Sequence, residues 1–481
     1  MNPVIILPGI GQSKVNIADA NGNKVQSAFP PSIDAKAIIS DLKGDLLKMM
    51  LFRKDKGFSD KIAKIAREAV APLSTGPDGK PAMNARAVTY NRPVSECTPD
   101  EKRHIYRMIP MEELGEEAGE DNLFFFAYNP FGNLFDTVEE LHAYIAMVRE
   151  RTGAEKVNLI VVSLSGVLLR GYMLKYGASE LDKVVNVVSA LDGTAVVADA
   201  YEKKLKTDDP VGMLKSMGGK FAKVAELANM VPAEVMRNCI DKGYAVGAES
   251  LLHNCTIMWG AIPRDRFEPI YNAYLRGKGK PELEAEVSEF NEYNQDFAAH
   301  AKEAEEQYGV KFWQLCGFDR ELVPVVDSVK LSSDGMINLG SASFGTTEPE
   351  AGSGSCESGC VFPDRTWFFK NQQHDDIAWN DAALSLVRAI LTEEVTDVDS
   401  SEKFPRINGV RNTRKLKYTL VPQAKTFLAK TDLPEDIRSE LSACVESYEE
   451  LLKATAAVSQ EPVRTLEARF NAAFEKMKSG E

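Results

Sequence analysis

The sequence has little that would attach the chain to a membrane or export it. No uncharged apolar segment approaches the roughly twenty residues that span a bilayer. No signal peptide, basic and then apolar, precedes the first apolar run. We therefore expect a protein that is cytoplasmic, or one that is exported with its signal already removed. Internal repeats and long low-complexity tracts are also missing, which favours an ordinary globular protein.

Positive charge is in short supply. The 57 Lys and Arg residues are outnumbered by 71 Asp and Glu residues, which gives a formal net charge of −14. This balance disfavours nucleic acid and anionic membranes as electrostatic partners, although it allows a local basic patch such as residues 411–417. We expect no nucleic-acid partner, no transmembrane segment and at most a transient contact with a lipid surface.

Motifs for metals and cofactors are missing too. Histidine occurs only five times, and none of the five has a metal-ligand spacing such as H-E-x-x-H. Neither a G-x-G-x-x-G motif nor a Walker lysine pattern is present, so a phosphate-cradling loop is not expected. The sequence therefore predicts no cofactor and no metal site.

Seven cysteines leave the redox compartment open. Cys356 and Cys360 lie in a Gly- and Ser-rich loop, where a small disulfide would hold a flexible segment and imply an oxidising compartment. The odd number leaves at least one free thiol. Four further cysteines lie in apolar contexts, where a buried thiol is the usual state: Cys239, Cys255, Cys316 and Cys444.

The most informative segment is an apolar run at residues 157–162 that ends on Ser163 and continues into a helical pattern. In a G-x-S-x-G nucleophile elbow, small residues two before and two after the serine let strand and helix approach closely. Ser165 fits this pattern, whereas Val161 departs from it. A shifted register would make Ser165 the nucleophile. A buried strand whose serines only cap the next helix is a third interpretation.

Residues 157–177 (VNLIVVSLSGVLLRGYMLKYG) resemble the strand, elbow and following helix of α/β-hydrolases, particularly lipases and acyltransferases of the lecithin:cholesterol acyltransferase type. The resemblance implies that Ser163 is the nucleophile. It also implies an α/β-hydrolase fold, with a mostly parallel sheet covered by helices on both faces. A predicted strand at residues 123–130 and a predicted helix at 137–152 favour the same architecture.

A glycine-rich turn follows the first apolar strand, in residues 3–13 (PVIILPGIGQS). This segment resembles the oxyanion loop of the same family. Acyl transfer builds negative charge on a carbonyl oxygen, and two preorganised backbone N–H donors stabilise that charge. The resemblance implies that these donors are Ile10, just after Gly9, and Leu164, just after the nucleophile.

The acid of the family follows the serine in the chain and precedes the histidine. Asp334 lies in residues 332–342, which follow a predicted strand at 311–318 and resemble the family's Asp-Gly-x-Val-Pro segment. An ordinary Asp-Gly turn is the alternative interpretation. Asp327 and Asp192 are fallback acids.

The histidine of the family comes late in the chain, just before a helix. His374 stands in that position, and the alternative is a surface histidine near a helix N-terminus. The other four histidines precede the elbow or lie in a helix-rich insert: His104, His142, His253 and His300.

The length of 481 residues exceeds one average domain, and a hydrophobic content of 44% is ample for a buried core. We predict a hydrolase core from residues 1–193 and 308–395, a helical cap or lid insert at 194–307 and a C-terminal helical extension at 396–481. The extension should contain two helices with apolar faces, one opened by Pro434 and one carrying Leu466, Phe470 and Phe474.

The resemblance implies a serine hydrolase of carboxylic esters, similar to a lipase or esterase. Ser163 would attack the ester, and His374, oriented by Asp334, would act as base and then as acid, with an acyl-enzyme as intermediate. Acyl transfer to an alcohol is an alternative, because it uses the same intermediate. A catalytically inactive binding module is another, favoured mainly by Val161. The expected partner is a small ester or lipid, and the oligomeric state is not predicted.

Overall fold

A seven-stranded sheet forms the centre of the protein. The computed structural model describes residues 1–30, 35–204, 231–323, 326–328, 332–346, 360–430, 433–454 and 460–479. In chain order the described strands are β1 (Val4–Leu7), β2 (Val15–Ala18), β3 (Lys24–Phe29), β4 (Ala85–Ala87), β5 (Leu123–Phe125), β6 (Val157–Val162), β7 (Leu181–Val187), β8 (Lys311–Phe318), β9 (Thr366–Lys370) and β10 (Ile407–Asn408). Across the central sheet the order is β10-β9-β8-β7-β6-β1-β5, and all neighbouring pairs are parallel.

Helices cover both faces of this sheet, because successive strand residues point to opposite sides. In β1, Ile5 and Leu7 belong to one hydrophobic cluster, and Val4 and Ile6 belong to another. The first cluster includes the helices Leu134–Thr152 and Ser165–Tyr176, and the second includes Pro99–Met108, Glu112–Ala118 and Asp381–Leu391. The predicted fold class, an α/β-hydrolase fold, is confirmed.

Two elements near the elbow differ in length from the prediction. The strand expected at residues 123–130 spans only Leu123–Phe125. The helix expected at 137–152 begins earlier, at Leu134, because the Asn133 side chain accepts hydrogen bonds from the N–H groups of Phe135 and Asp136. The strand expected at 311–318 is observed with those limits.

The insert after β7 is helical and has its own hydrophobic cluster, centred on Trp259 and packed against Tyr201, Phe267 and Leu283. None of the described helices is long and apolar enough to cross a membrane. The described helices of the insert span Ala195–Tyr201, Ala233–Gly247, Thr256–Gly260, Arg264–Tyr274, Pro281–Gln295 and Phe297–Tyr308.

A second, antiparallel sheet of three strands has the order β3-β2-β4, and the sequence analysis did not predict it. Its strands are short. The first four residues of β3 are all exposed, so buried and exposed positions do not alternate along them as they do in a typical half-buried strand. The helices Ala35–Phe52 and Phe58–Val70 lie between β3 and β4 in the chain. Other short helical segments span Ala71–Leu73, Val94–Glu96, Glu120–Asn122, Ala248–Leu252, Leu339–Ala342, Pro363–Arg365 and His374–Trp379.

The C-terminal extension contains the two predicted helices, Glu435–Lys453 and Glu461–Ser479. Their apolar faces form one cluster with two consecutive helical segments that the sequence analysis missed, Leu416–Leu420 and Val421–Leu428. Before these helices, β10 pairs with β9, so the central sheet continues past residue 395.

The extension is anchored to the core by a buried ion pair. Nε of Arg411 lies 2.7 Å from Oδ2 of Asp381, at the start of the helix Asp381–Leu391. The same guanidinium donates to the carbonyl oxygens of Leu451 and Ala454, at 3.0 and 2.9 Å. Burial raises the pKa of Asp381 to about 6, although the charge of Arg411 opposes that rise. Arg411 therefore joins the helix after His374 to the end of an extension helix.

Five free cysteines among the described residues are buried, and they include the four that the sequence placed in apolar contexts. Burial raises the pKa of the Cys239 and Cys444 thiols to about 11 and that of Cys255 to about 12. Cys356 lies outside the described residues, and so does the predicted Cys356–Cys360 disulfide.

Arg170, on the helix Ser165–Tyr176, is fully buried and connects that helix to neighbouring segments. Its guanidinium donates to the carbonyl oxygens of Ala190 (3.0 Å) and Gly260 (2.7 Å) and to Oδ1 of Asn294. Burial lowers the pKa of Arg170 to about 10, so the side chain stays charged at neutral pH. The contacts join the elbow helix to the segment after β7 and to the insert.

We expect Arg170→Met to lower the free energy of unfolding by about 3–5 kcal/mol, because the carbonyl groups around it would lose their buried donor. The measurement is chemical denaturation followed by tryptophan fluorescence. Lys425→Met, at an exposed position of the extension, is the control and should change stability by less than about 0.5 kcal/mol. Equal midpoints for the two variants would show that Arg170 does not stabilise the fold.

Candidate active site

The turn between β6 and the helix Ser165–Tyr176 holds Ser163 in a strained conformation. Its φ angle is 56°, in the left-handed region that residues other than glycine rarely adopt. Three backbone hydrogen bonds hold it there. Ser163 N–H donates to Val187 O at 3.1 Å, and the N–H groups of Gly166 and Ala190 donate to Ser163 O at 3.0 and 2.9 Å. A strained serine between a strand and a helix is the geometry of a nucleophile elbow.

Three predicted site residues form one chain of hydrogen bonds. Oγ of Ser163 lies 2.7 Å from Nε2 of His374, and Nδ1 of His374 lies 2.7 Å from Oδ2 of Asp334. With the proton on Nδ1, the imidazole donates to the carboxylate and Nε2 accepts the serine proton. Ser163 is 7% exposed and Asp334 is 1% exposed, so water has little access to these hydrogen bonds.

Backbone groups fix the position of Asp334. Its Oδ1 accepts the N–H groups of Met336 and Ile337 at 2.9 and 2.8 Å, and its carbonyl oxygen accepts His374 N–H at 2.8 Å. Gly317, in β8, allows this close approach: a Cβ there would stand 2.6 Å from Cβ of Asp334. The absence of a side chain at residue 317 therefore allows the Asp334 carboxylate to lie within hydrogen-bond distance of the His374 imidazole.

The alternative acids lie elsewhere. Asp192 binds Arg264, with Oδ1 3.0 Å from Nε, and the backbone N–H of Asp327 donates to Lys204 O. The other histidines have other surroundings. Burial lowers the pKa of His104 and of His253 to about 4, whereas His142 stacks on Tyr176 and His300 stacks on Tyr293.

Ser165, the alternative nucleophile, is fully buried beneath the glycine-rich turn. Its Oγ donates to Pro8 O at 2.5 Å and lies 3.3 Å from the Tyr128 hydroxyl. Its hydroxyl thus connects the elbow helix to the start of the turn, away from His374. Val161 lies in β6 within a hydrophobic cluster, and its φ is not positive. The elbow therefore accommodates its side chain.

The glycine-rich turn faces Ser163, and Gln12 shapes it. Gly9 N–H donates to Oε1 of Gln12 at 2.5 Å, and Nε2 of Gln12 donates to Met108 O at 2.9 Å. A Cβ at Gly9 would stand 3.1 Å from Cβ of Ser163. The sequence analysis missed Gln12, although a glutamine between glycine and serine in such a turn was a signal that could have been used.

The two predicted oxyanion donors flank this arrangement. Ile10 belongs to the turn that faces Ser163, and Leu164 directly follows Ser163. Within the described part of the chain, the backbone N–H groups of Ile10 and Leu164 have no hydrogen-bond acceptor. Both N–H groups are therefore available to a bound molecule.

A pocket of about 340 Å³ opens at Ser163, and we call it the Ser163 pocket. Among the described residues, none from the insert lines it. Arg107 and Met108 form part of its wall, and Arg414 enters from the C-terminal extension, where the sequence analysis expected no site residue. The full lining is Gly9, Ile10, Gly11, Gln12, Arg107, Met108, Val162, Ser163, Val188, His374, Asp375, Ile377, Ala378, Trp379 and Arg414.

Two opposing effects set the pKa of His374. Burial favours the neutral imidazole, but the charge of Asp334, its hydrogen bond and the charge of Asp375 together outweigh burial. The pKa of His374 is therefore raised above its usual value of 6.5.

Among the described residues, no group of three or more His, Cys, Asp and Glu side chains could hold a metal ion.

No protein-family model and no curated protein sequence matches this chain at a significant level. Among solved structures, the chain is similar to the Tle4–Tli4 complex, with 11% identity and a TM-score of 0.33, over 82% of this chain and 99% of that chain. It is also similar to a meta-cleavage product hydrolase from Pseudomonas fluorescens complexed with acetates, with 13% identity and a TM-score of 0.25, over 60% and 86% of the two chains. A third structure, a lipase-esterase related protein from Clostridium acetobutylicum, shares 12% identity with a TM-score of 0.16, over 42% and 88%.

We expect Asp334→Asn to lower the pKa of His374, because the imidazolium would lose the carboxylate charge that stabilises it. The measurement is a pH titration of the histidine side-chain NMR signals in the wild type and the variant. Asp375→Asn removes the same charge from the next residue and is the matched control, for which we expect a smaller fall. A shift in the control as large as that in Asp334→Asn would contradict the assignment of Asp334 as the main partner.

Proposed function

We propose that this protein is a serine hydrolase of carboxylic esters, similar in its catalytic arrangement to lipases and to acyltransferases of the lecithin:cholesterol acyltransferase type. The observation that carries the proposal is the unbroken hydrogen-bond chain from Ser163 through His374 to Asp334, at the mouth of a pocket. A serine that merely capped a helix would need neither a strained φ nor a histidine at 2.7 Å.

In the proposed reaction, Oγ of Ser163 attacks the ester carbonyl while Nε2 of His374 takes its proton. Asp334 holds the imidazole in the productive tautomer and stabilises the imidazolium that forms. His374 then gives the proton to the departing alcohol, which leaves an acyl-enzyme. Water, activated by the same imidazole, attacks the acyl-enzyme, which releases the acid and restores Ser163.

The negative charge that develops on the carbonyl oxygen needs donors that are already in place. We assign this role to the backbone N–H groups of Ile10 and Leu164, which have no acceptor among the described residues. Gln12 holds the turn that carries Ile10, and Ser165 holds the beginning of that turn through Pro8. Removal of one such donor typically costs about 10²–10³-fold in kcat, so these anchors support the rate indirectly.

The first test is covalent labelling by a fluorophosphonate probe, detected by mass spectrometry. We expect labelling of the wild type at Ser163, because His374 makes that hydroxyl nucleophilic, and complete loss in Ser163→Ala. Ser165→Ala is the matched control: it deletes a hydroxyl two residues away and should still be labelled. A folded wild type without label, with or without added detergent, would favour the inactive binding module.

The second test is the pH dependence of ester hydrolysis, measured on 4-nitrophenyl butanoate. His374 acts as base only when neutral, so kcat should fall as the pH is lowered through its raised pKa. In Asp334→Asn that fall should move to lower pH, and kcat should drop by roughly 10³–10⁴-fold. An acidic limb that stays at the same pH in the variant would show that another group controls the rate. Added alcohols that yield new esters would identify acyl transfer.

A further inference from the structure

A second cavity, of about 790 Å³, lies beside the Ser163 pocket and shares Arg414 with it. Asn371 and Gln373 belong to its wall, and Gln373 immediately precedes His374. The cavity therefore reaches the segment that carries the imidazole. We call it the cationic groove, and its lining is Arg320, Asn371, Gln373, Asp376, Val410, Asn412, Arg414, Lys415, Tyr418, Thr419, Gln460, Arg464 and Glu467.

Positive charge exceeds negative charge in this groove, in contrast to the protein as a whole. The groove is lined by four cationic side chains and only two carboxylates, whereas the protein as a whole carries a formal net charge of −14. Lys415 is neutralised by Glu467, with Nζ 3.3 Å from Oε2. Such a concentration of one sign within an oppositely charged protein attracts ligands of the opposite charge.

Three guanidinium groups in the groove have no carboxylate within ion-pair distance among the described residues, those of Arg320, Arg414 and Arg464. That of Arg320 donates to Asn371 O at 3.3 Å. Arg414 stacks on Trp379, with its guanidinium carbon 4.1 Å from the ring centroid. Stacking leaves the edge N–H donors of a guanidinium available, and these donors match carboxylate and phosphate oxygens. Trp379 and Arg414 both also line the Ser163 pocket.

The groove is held by contacts within the C-terminal extension and between the extension and the core. Asn412 N–H donates to Oε1 of Gln460 at 2.8 Å, and Nε2 of Gln460 donates back to Asn412 O at 3.1 Å. This pair fixes the start of the helix Glu461–Ser479, which carries Arg464. The neighbouring Arg411–Asp381 ion pair fixes the segment that carries Arg414. The backbone segments that carry Arg414 and Arg464 are therefore held in place by these contacts.

We propose that the cationic groove binds an anionic group, a carboxylate or a phosphate, on the ester that reacts at Ser163. This inference rests on the proposed function and adds a substrate class to it. The ester group occupies the Ser163 pocket, and Arg414 stands where the two cavities meet. The extension is then a specificity element, because it supplies Arg414 and Arg464 to the substrate.

The test compares paired esters that differ in charge. 4-Nitrophenyl pentanoate is paired with the 4-nitrophenyl monoester of glutaric acid, which carries a carboxylate on the acyl part. Phenyl butanoate is paired with 4-butanoyloxybenzoate and 4-butanoyloxyphenylphosphonate, which carry the charge on the alcohol part. For each pair, the measurement is the ratio of kcat/KM for the anionic ester to kcat/KM for the neutral one. Intrinsic reactivity cancels when this ratio is compared between protein variants.

We expect the ratio in at least one pair to fall about 1.5- to fivefold in Arg464→Gln, the range typical of one exposed ion pair, and further in Arg414→Gln/Arg464→Gln. Lys425→Gln removes the same charge from the extension outside the groove and should leave every ratio unchanged. Higher ionic strength should lower the wild-type ratio, because salt screens exposed charges. Ratios that are equal in wild type and both groove variants would overturn the proposal.

A binding measurement separates this proposal from the proposed function. Ser163→Ala cannot form an acyl-enzyme, so isothermal titration with the same esters reports binding alone. A preference for the anionic ester that is lost when Arg464→Gln is added supports the groove even if the wild type hydrolyses no ester, in which case only the hydrolase proposal fails. If Ser163→Ala binds anionic and neutral esters with equal affinity while the wild type hydrolyses esters, the proposal for the groove is refuted and the hydrolase proposal stands.

Discussion

Parallel strand pairing is the constraint on which the candidate site depends. Because β6, β8 and β9 run in the same direction, the segments that follow them all leave the same edge of the sheet. Ser163, Asp334 and His374 each lie in one of these segments, although 211 residues separate the first from the last. Gly317 then lets the Asp334 loop lie against β8. Strand direction brings the three residues to one edge of the sheet, and the missing side chain at Gly317 allows Asp334 to lie close to β8.

The electrostatics of the site follow from its burial. Around His374, the loss of water favours the neutral imidazole, while the nearby carboxylates favour the charged form. The second effect prevails and raises the pKa of His374, so the carboxylates stabilise the imidazolium that forms when the ring accepts a proton. Burial has a different consequence at Arg170. There the charge is retained, because surrounding oxygen atoms replace the water that the guanidinium lost.

The C-terminal extension adds positive charge to the wall of the Ser163 pocket, through Arg414. The buried ion pair between Arg411 and Asp381 holds the extension against the helix that follows His374. As a result, Arg414 reaches both the Ser163 pocket and the cationic groove. A protein with a large excess of acidic residues thereby presents positive charge beside its candidate nucleophile, which net composition alone would not suggest.

The resemblance of sequence segments to α/β-hydrolases predicted the fold class and singled out Ser163, Asp334 and His374. The sequence by itself determined the long buried strands, because apolar runs are local features that periodicity records. It predicted the two extension helices for the same reason. Only the tertiary structure decided that Ser165 turns toward Pro8, that Gln12 anchors the glycine-rich turn and that Arg414 reaches the pocket. Those outcomes depend on contacts between segments distant in sequence, and no local pattern encodes which side chain meets which across a fold.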